Sequence, residues 1–150
     1  MKNNKRLPNE NELYSFLVEV DSSFPVPLSK KQDLLEFSKK LLKRATLVPV
    51  WHEDKIVSMV AGYTENITDN MAYISIVATT KEAMGMGYGK RVVKEFIEIC
   101  RDKKISAVHL YAVPTNLPAV NLYKKLGFVE YKLENEPRID DLHVIYALRE

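Results

Sequence analysis

The segment Met84-Gly85-Met86-Gly87-Tyr88-Gly89-Lys90-Arg91 sets three glycines at alternate positions, followed at once by two cations. Val92, Val93, Phe96, Ile97 and Cys100 come next at helical spacing, while Lys94, Glu95, Glu98 and Arg101 fall on the opposite face. The glycines therefore lead into the start of an amphipathic helix. Such a start leaves about four N–H groups unpaired and carries partial positive charge. Glycine lets an anion approach the backbone with no Cβ in the way. The chemistry this pattern can do is to hold a phosphate or pyrophosphate, with Lys90 and Arg91 adding charge in the first turn.

Two familiar phosphate loops fit poorly. A P-loop needs glycine where Met84 stands and serine or threonine where Arg91 stands. The dinucleotide fingerprint needs glycine or alanine at Lys90. It also needs an acidic residue about 20 residues on, where the chain reads Lys103-Lys104-Ile105-Ser106. The glycines alone leave a ligand-free connection open as well.

The elements that must position this loop follow from periodicity. Leu13, Phe16, Leu17 and Val20 predict a first helix ending near Asp21–Ser22. Pro25 and Pro27 make an extended connection, and Ser29 with Gln32 suggests a capping box ahead of a helix carrying Leu34, Leu35, Phe37, Leu41 and Leu42. Leu47 to Trp51 and Ile56 to Tyr63 read as a hairpin, and Met71 to Thr79 as a third strand. After the glycine loop and its helix come a strand from Ala107 to Val113, stopped by Pro114, and a short helix from Leu117 to Leu126. Gly127 suits the left-handed position that ends that helix. Phe128 to Leu133 and Leu142 to Leu148 close the chain as strands. The expected fold class is α/β, a mixed and mostly antiparallel central sheet with flanking helices.

Composition sets outer bounds. The chain has 150 residues, 46% hydrophobic and 28% charged, which suits one folded domain spanning 1–150 rather than a disordered chain. Its 22 basic and 20 acidic residues leave a net charge of +2, which gives no support to a nucleic-acid partner. No apolar run approaches the ~20 residues that span a bilayer, so no membrane partner is expected. The polar start, Met1 to Arg6, lacks the apolar segment of a secretory signal, and Cys100 is the single cysteine, so the expected location is cytoplasmic. His52, His109 and His143 match no zinc spacing, and no metal site is expected.

With the elements in place, two motifs resemble those of the GCN5-related N-acetyltransferase (GNAT) family. The family pattern Arg/Gln-x-x-Gly-x-Gly/Ala after a strand is matched by Met84-Gly85-Met86-Gly87-Tyr88-Gly89, with Met84 where Arg or Gln is usual. The pattern Asn-x-x-Ala-x-x-x-Tyr-x-Lys-x-Gly-Phe is intact as Asn116, Ala119, Tyr123, Lys125, Gly127 and Phe128. The resemblance covers about residues 71–131 closely. It implies a GNAT-like acyl-coenzyme A N-acyltransferase fold, with acetyl-coenzyme A as cosubstrate and no metal.

The resemblance also implies roles for particular residues. The pyrophosphate would lie on main-chain N–H groups of Gly85, Met86, Gly87, Tyr88, Gly89 and Lys90, next to Met84. The strands Met71–Thr79 and Ala107–Val113 would splay, and the pantetheine arm would bond to main chain near Val77 and Thr79. Asn116 would hydrogen-bond that arm. Tyr123 would assist departure of the thiolate when an amine attacks the thioester. On its own, Tyr123 reads rather as a core aromatic beside Leu122 and Leu126, and the motif reverses that reading.

The acceptor is expected to be a primary amine of a small molecule, with faint similarity to family members that act on amino sugars. A homodimer is left open. The base that deprotonates the amine is not named by the motifs. Glu65 after a strand is either that base or, more readily, a solvated loop residue. His109, on one strand face with Tyr111, is a proton relay or, more readily, a structural histidine. Tyr73 with Ser75 on one side of another strand could order a water chain. The run Lys39, Lys40, Lys43 and Arg44 is either a solvated helix end or an attraction for an acidic acceptor. Two alternatives stand beside the transferase: a coenzyme A-binding sensor or partner module with little catalysis, and a nucleotide-binding protein using the same loop.

Overall fold

The computed structural model describes residues 6–148. The elements run α1 (Glu10–Val20), α2 (Leu34–Arg44), β1 (Thr46–His52), β2 (Lys55–Tyr63), β3 (Met71–Thr79), α3 (Tyr88–Asp102), β4 (Ala107–Ala112), α4 (Leu117–Leu126), β5 (Val129–Glu130) and β6 (Leu142–Ala147), with short 3₁₀ turns at Asp21–Ser23, Leu28–Lys30 and Lys81–Ala83. The six strands form one sheet in the order β1-β2-β3-β4-β6-β5. Every neighbouring pair is antiparallel except β3 and β4. The mixed, mostly antiparallel sheet expected from the sequence is the one observed.

Apolar side chains from the two faces build two cores. Val92, Val93, Phe96, Ile97 and Cys100 of α3 pack with Ala72, Ile74, Val108, Leu110 and Val144. Leu13, Phe16, Leu17 and Val20 of α1 pack with Phe37, Leu41, Met59, Ile76 and Ala78 on the other face. Fully burying a side chain of this size stabilises by about 1.5–3 kcal/mol, so each helix is held chiefly by its apolar stripe.

Ile74 lies in one core and Ile76 in the other, although a regular strand would send both to the same face. The cause is a bulge. Ala61 pairs with Ile76 and Gly62 with Ile74, which leaves Ser75 as the extra residue. The alternation that put Tyr73 and Ser75 on one side is therefore interrupted at Ser75 itself.

Two local expectations are corrected. Ser29 does not cap α2. Its amide and hydroxyl both donate to the Asp21 carboxylate, at 2.8 and 2.6 Å, and Asp33 caps the helix by accepting from the Glu36 amide at 3.0 Å. The strand expected over Phe128 to Leu133 is confined to Val129–Glu130, because the Leu133 amide turns to the Glu136 carboxylate instead of a ladder. No helix among the described residues is long and apolar enough to cross a membrane.

Candidate active site

β3 and β4 are paired only at Met71–Tyr73 with Ala107–His109. Beyond that point the two parallel strands separate, so from Ile74 and from Leu110 onward each has a free edge toward the gap. A cavity fills the gap, lined by Ile74, Ser75 and Val77 on one edge and by Leu110, Tyr111 and Val113 on the other. A second cavity, of about 530 Å³, continues past Val77 and Thr79 to the glycine loop. That volume lies within the ~300–1,000 Å³ usual for small-molecule sites. Phe24, Val77, Asn116, Ala119 and Tyr123 line both cavities, so the two are parts of one cleft.

The glycine loop forms the far end. Gly85 and Gly87 adopt φ of +84° and +81°, a left-handed backbone that L side chains rarely take, and the space where a Cβ would stand is empty at both. Gly87 is the residue that opens α3, and the first helical bond runs from the Arg91 amide to the Gly87 carbonyl at 3.1 Å. Among the described residues, the six consecutive amides from Gly85 to Lys90 have no hydrogen-bond acceptor. Unpaired amides converging at a helix start form an anion cradle.

Met84, Gly85, Gly87, Tyr88, Gly89 and Lys90 all line the cavity there, together with Val77, Thr79 and Asn116. Met86 does not line it, and its side chain is exposed. Thr79 is held by a 2.8 Å bond between its hydroxyl and that of the buried Ser58.

Asn116 occupies the N-cap position of α4, yet its side chain makes no capping bond. Among the described residues that side-chain amide has no hydrogen-bond partner, and it stands on the wall shared by both cavities. Tyr123 is fixed by the end of the same helix. Gly127, at φ +109°, lets its own amide reach the Lys124 carbonyl at 3.1 Å and the Phe128 amide reach the Tyr123 carbonyl at 3.0 Å. These are the paired bonds of a Schellman end, and the Tyr123 and Phe128 rings meet edge-on at 5.5 Å as its apolar contact. The Tyr-x-Lys-x-Gly-Phe run is thus a device that fixes one ring against the cleft. Burial raises the Tyr123 phenol well above its ordinary value, so it stays protonated at neutral pH.

Sequence reasoning left a polar cluster unassembled. In β6, His143 lies opposite Tyr111, and His109, two residues earlier in β4, brings its Nδ1 to 2.9 Å from His143 Nε2. His143 Nδ1 is 2.9 Å from Glu136 Oε2. Tyr111 donates to Glu136 Oε1 at 2.8 Å, and the Leu133 amide donates to Oε2 at 2.7 Å. Arg138 pairs with Asp141 at 2.8 Å and reaches the Tyr73 hydroxyl at 3.3 Å.

Burial acts upward on Glu136, but the bonds from His143, the Leu133 amide and Tyr111 outweigh it and bring the carboxyl down to about 2. Tyr111 is pushed up to about 12 by burial and by its bond to Glu136. His109 is lowered by burial and by His143, against an upward pull from Glu136. A charged loop residue such as Glu136 carries no sequence signal. The spacing of His109, Tyr111 and His143 becomes informative only once β4 and β6 are known to pair.

The other candidates fall elsewhere. Glu65 forms an exposed ion pair with Lys103 at 3.1 Å. His52 is exposed at the end of β1. Cys100 is fully buried, its thiol pushed up to about 12 by burial. Lys40 of the basic run lies 5.8 Å from the Tyr63 ring, and Lys39 pairs with Glu36 at 3.6 Å. Among the described residues no cluster of His, Cys, Asp and Glu could hold a metal ion. Phe24 lines the cleft, whereas Trp51 packs under Arg6 at 3.8 Å.

A splayed parallel pair, a bulge beside it and an anion cradle at the next helix start agree with the comparisons to known proteins. Residues 13–128 match the Acetyltransferase (GNAT) family, and the chain belongs to that family. A mycothiol acetyltransferase from Arthrobacter sp. (strain FB24) is 43% identical over 58 residues, which is 39% of this chain and 18% of that protein. The chain thus spans about a fifth of the length of the curated relative it matches there. The uncharacterized N-acetyltransferase ycf52 of Pyropia yezoensis is 28% identical over 102 residues, 67% of this chain and 57% of that one. The PaiA N-acetyltransferase of Thermoplasma acidophilum, solved in complex with coenzyme A, shares the fold with a TM-score of 0.75 at 14% identity, covering 98% of this chain and 99% of that one.

Proposed function

We propose that this protein is an acetyl-coenzyme A-dependent N-acetyltransferase acting on a primary amine of a small molecule. The observation that carries this reading is the row of six acceptor-less amides, Gly85 to Lys90, at one end of a cleft whose other end is the gap between β3 and β4. The pyrophosphate of the coenzyme would take those amides. The pantetheine arm would run along the free edge of β3 past Val77 and Thr79, with Asn116 bonding it. The thioester would then lie where the cavities meet, beside Tyr123.

Transfer would proceed by direct attack in a ternary complex. The acceptor ammonium loses a proton, and its lone pair attacks the thioester carbonyl. A C–N bond forms, the C–S bond breaks, the thiolate takes a proton from Tyr123, and the nitrogen gives up its remaining extra proton as the amide forms, which restores the phenol. Free N–H groups on the β3 edge would stabilise the charge growing on the carbonyl oxygen. The phenol, raised by burial, is protonated when this step needs a donor.

The acceptor would enter by the cavity that Phe24, Lys31, Ser75, Tyr111 and Arg138 line. An amino sugar is the acceptor we would test first. A second reading, a coenzyme A-binding module with little catalysis, draws on Met84, an exposed thioether where the family has a hydrogen-bonding side chain. Equilibrium binding of coenzyme A together with thiol release across an amine panel tests both. Binding with transfer supports the enzyme, and binding without transfer supports the module.

A further inference from the structure

We propose that Glu136, His143 and His109 form a proton relay in which His109 Nε2 is the base for the acceptor amine. The inference rests on the transferase reading and supplies the group its motifs leave unnamed.

The bonding pattern gives the relay one tautomer for each imidazole. Glu136 is a carboxylate and can only accept, so His143 Nδ1 must carry the proton between them. In the resting state of the relay, His143 then offers a lone pair at Nε2. The 2.9 Å contact to His109 therefore needs a proton on His109 Nδ1. His109 is left with a bare lone pair on Nε2, and among the described residues that atom has no partner. When Nε2 takes a proton, the positive charge is shared with His143 and faces the Glu136 carboxylate. A base oriented by a second group, itself oriented by a third, is the logic of hydrolytic triads built on another fold.

Neighbouring groups do not compete for the role. Tyr73 of β3 has its ring 5.2 Å from His109, and Tyr111 of β4 is 6.5 Å away. From β6 comes His143, with the Tyr131 ring 5.2 Å from it. From the loop before β6 come Glu136, and Arg138 neutralised by Asp141. Tyr111 and Tyr73 donate or accept as phenols, and Glu136 is too acidic to hold a proton at neutral pH. His109 is the group with a free lone pair.

His109 stands beside the cavity along β4 and is not itself part of the lining. It is the last β4 residue paired with β3, and Tyr111, two residues on, lines the cavity. Two strand residues span about 7 Å, so a proton from an amine beside Tyr111 would travel to Nε2 along a chain of waters. His109 is thus the base, and Glu136 and His143 are positioning residues.

The test compares wild type with His109→Gln, using acetyl-coenzyme A and two amine probes, spermidine and hydroxylamine. Spermidine amines are charged near neutrality and need a base, whereas hydroxylamine is already neutral. His109→Gln should cut transfer to spermidine about 100-fold and leave transfer to hydroxylamine and coenzyme A affinity within threefold. Equal losses with both amines, or none with either, overturn the relay. A wild type that binds coenzyme A and acetylates neither these probes nor any amino sugar, amino acid or peptide amine overturns the transferase reading and the relay's catalytic role together.

Nitrogen-15 spectra of the folded wild type read the relay without turnover. His109 must show protonated Nδ1 and bare Nε2 at pH 7.5, and Glu136→Gln must disturb that tautomer and move the acid limb of the spermidine rate to lower pH. A His109 protonated at Nε2 overturns the proposal.

Discussion

His109 Nδ1 and His143 Nε2 stand 2.9 Å apart across the β4–β6 ladder, and the Glu136 carboxylate 2.9 Å beyond His143 decides which of them donates. The two imidazoles come from strands 34 residues apart. They share a face because β4 and β6 pair antiparallel with Tyr111 opposite His143 and His109 opposite Ile145. The same face continues into the gap where β3 leaves β4, which ties the polar cluster to the cleft.

The rate should carry the signature of His109. Its folded pKa lies below the ordinary imidazole value of ~6.5, so the neutral base persists to lower pH than a free histidine would allow. The pH profile of kcat/KM should fall on the acid side through a value below ~6.5. A limb at or above that value contradicts the assignment.

Glu136 should mark the acid stability of the fold. Its folded value of about 2 lies below the ordinary carboxyl range near ~4.3. The unfolded chain binds the proton more readily, so the contribution is fully present above ~4.3 and is lost as pH falls toward 2. Thermal unfolding of Glu136→Gln should therefore differ from wild type at pH 6 and converge with it as pH drops through that window. A constant difference across the range goes against it.

Tyr123→Phe removes one hydroxyl and keeps the ring against Phe128. Turnover should fall by about 100-fold or more, while coenzyme A affinity and Tm stay near wild type. A variant with normal turnover removes Tyr123 from the chemistry.

The glycine loop makes two opposite predictions. Met84→Arg places a charged donor on the cavity wall, and coenzyme A should bind about fivefold tighter, roughly 1 kcal/mol after allowance for solvent screening. Gly87→Ala meets no atom within 4 Å, so its cost is the left-handed backbone alone. That strain amounts to about 1–2 kcal/mol. It should appear as a lower Tm and weaker coenzyme binding. Calorimetry on both variants reads the outcome.

Much of this was legible in the chain. The apolar stripe from Val92 to Cys100 and the glycines before it are local features, and local features survive into the fold. Asn116, Tyr123, Gly127 and Phe128 were legible as a motif, and their physical sense is a Schellman end that holds a ring. The Ser75 bulge was not legible, because the hydrophobic alternation of β3 continues through it unbroken while the faces exchange. Ser29 looked like a cap, but Asp33 is the acceptor nearer the helix, and Asp21 takes both Ser29 donors. Glu136 lay in a charged loop with no period to read, and its meaning depends on a ladder between two distant strands.

Thiol release from acetyl-coenzyme A, measured across amino sugars, polyamines, amino acids and peptides with mass analysis of the products, tests the central claim most directly. An acetyltransferase of this kind gives amine-dependent release and an N-acetylated product with at least one small-molecule amine. Coenzyme A binding at the loop with no acetylated amine anywhere in the panel would contradict it.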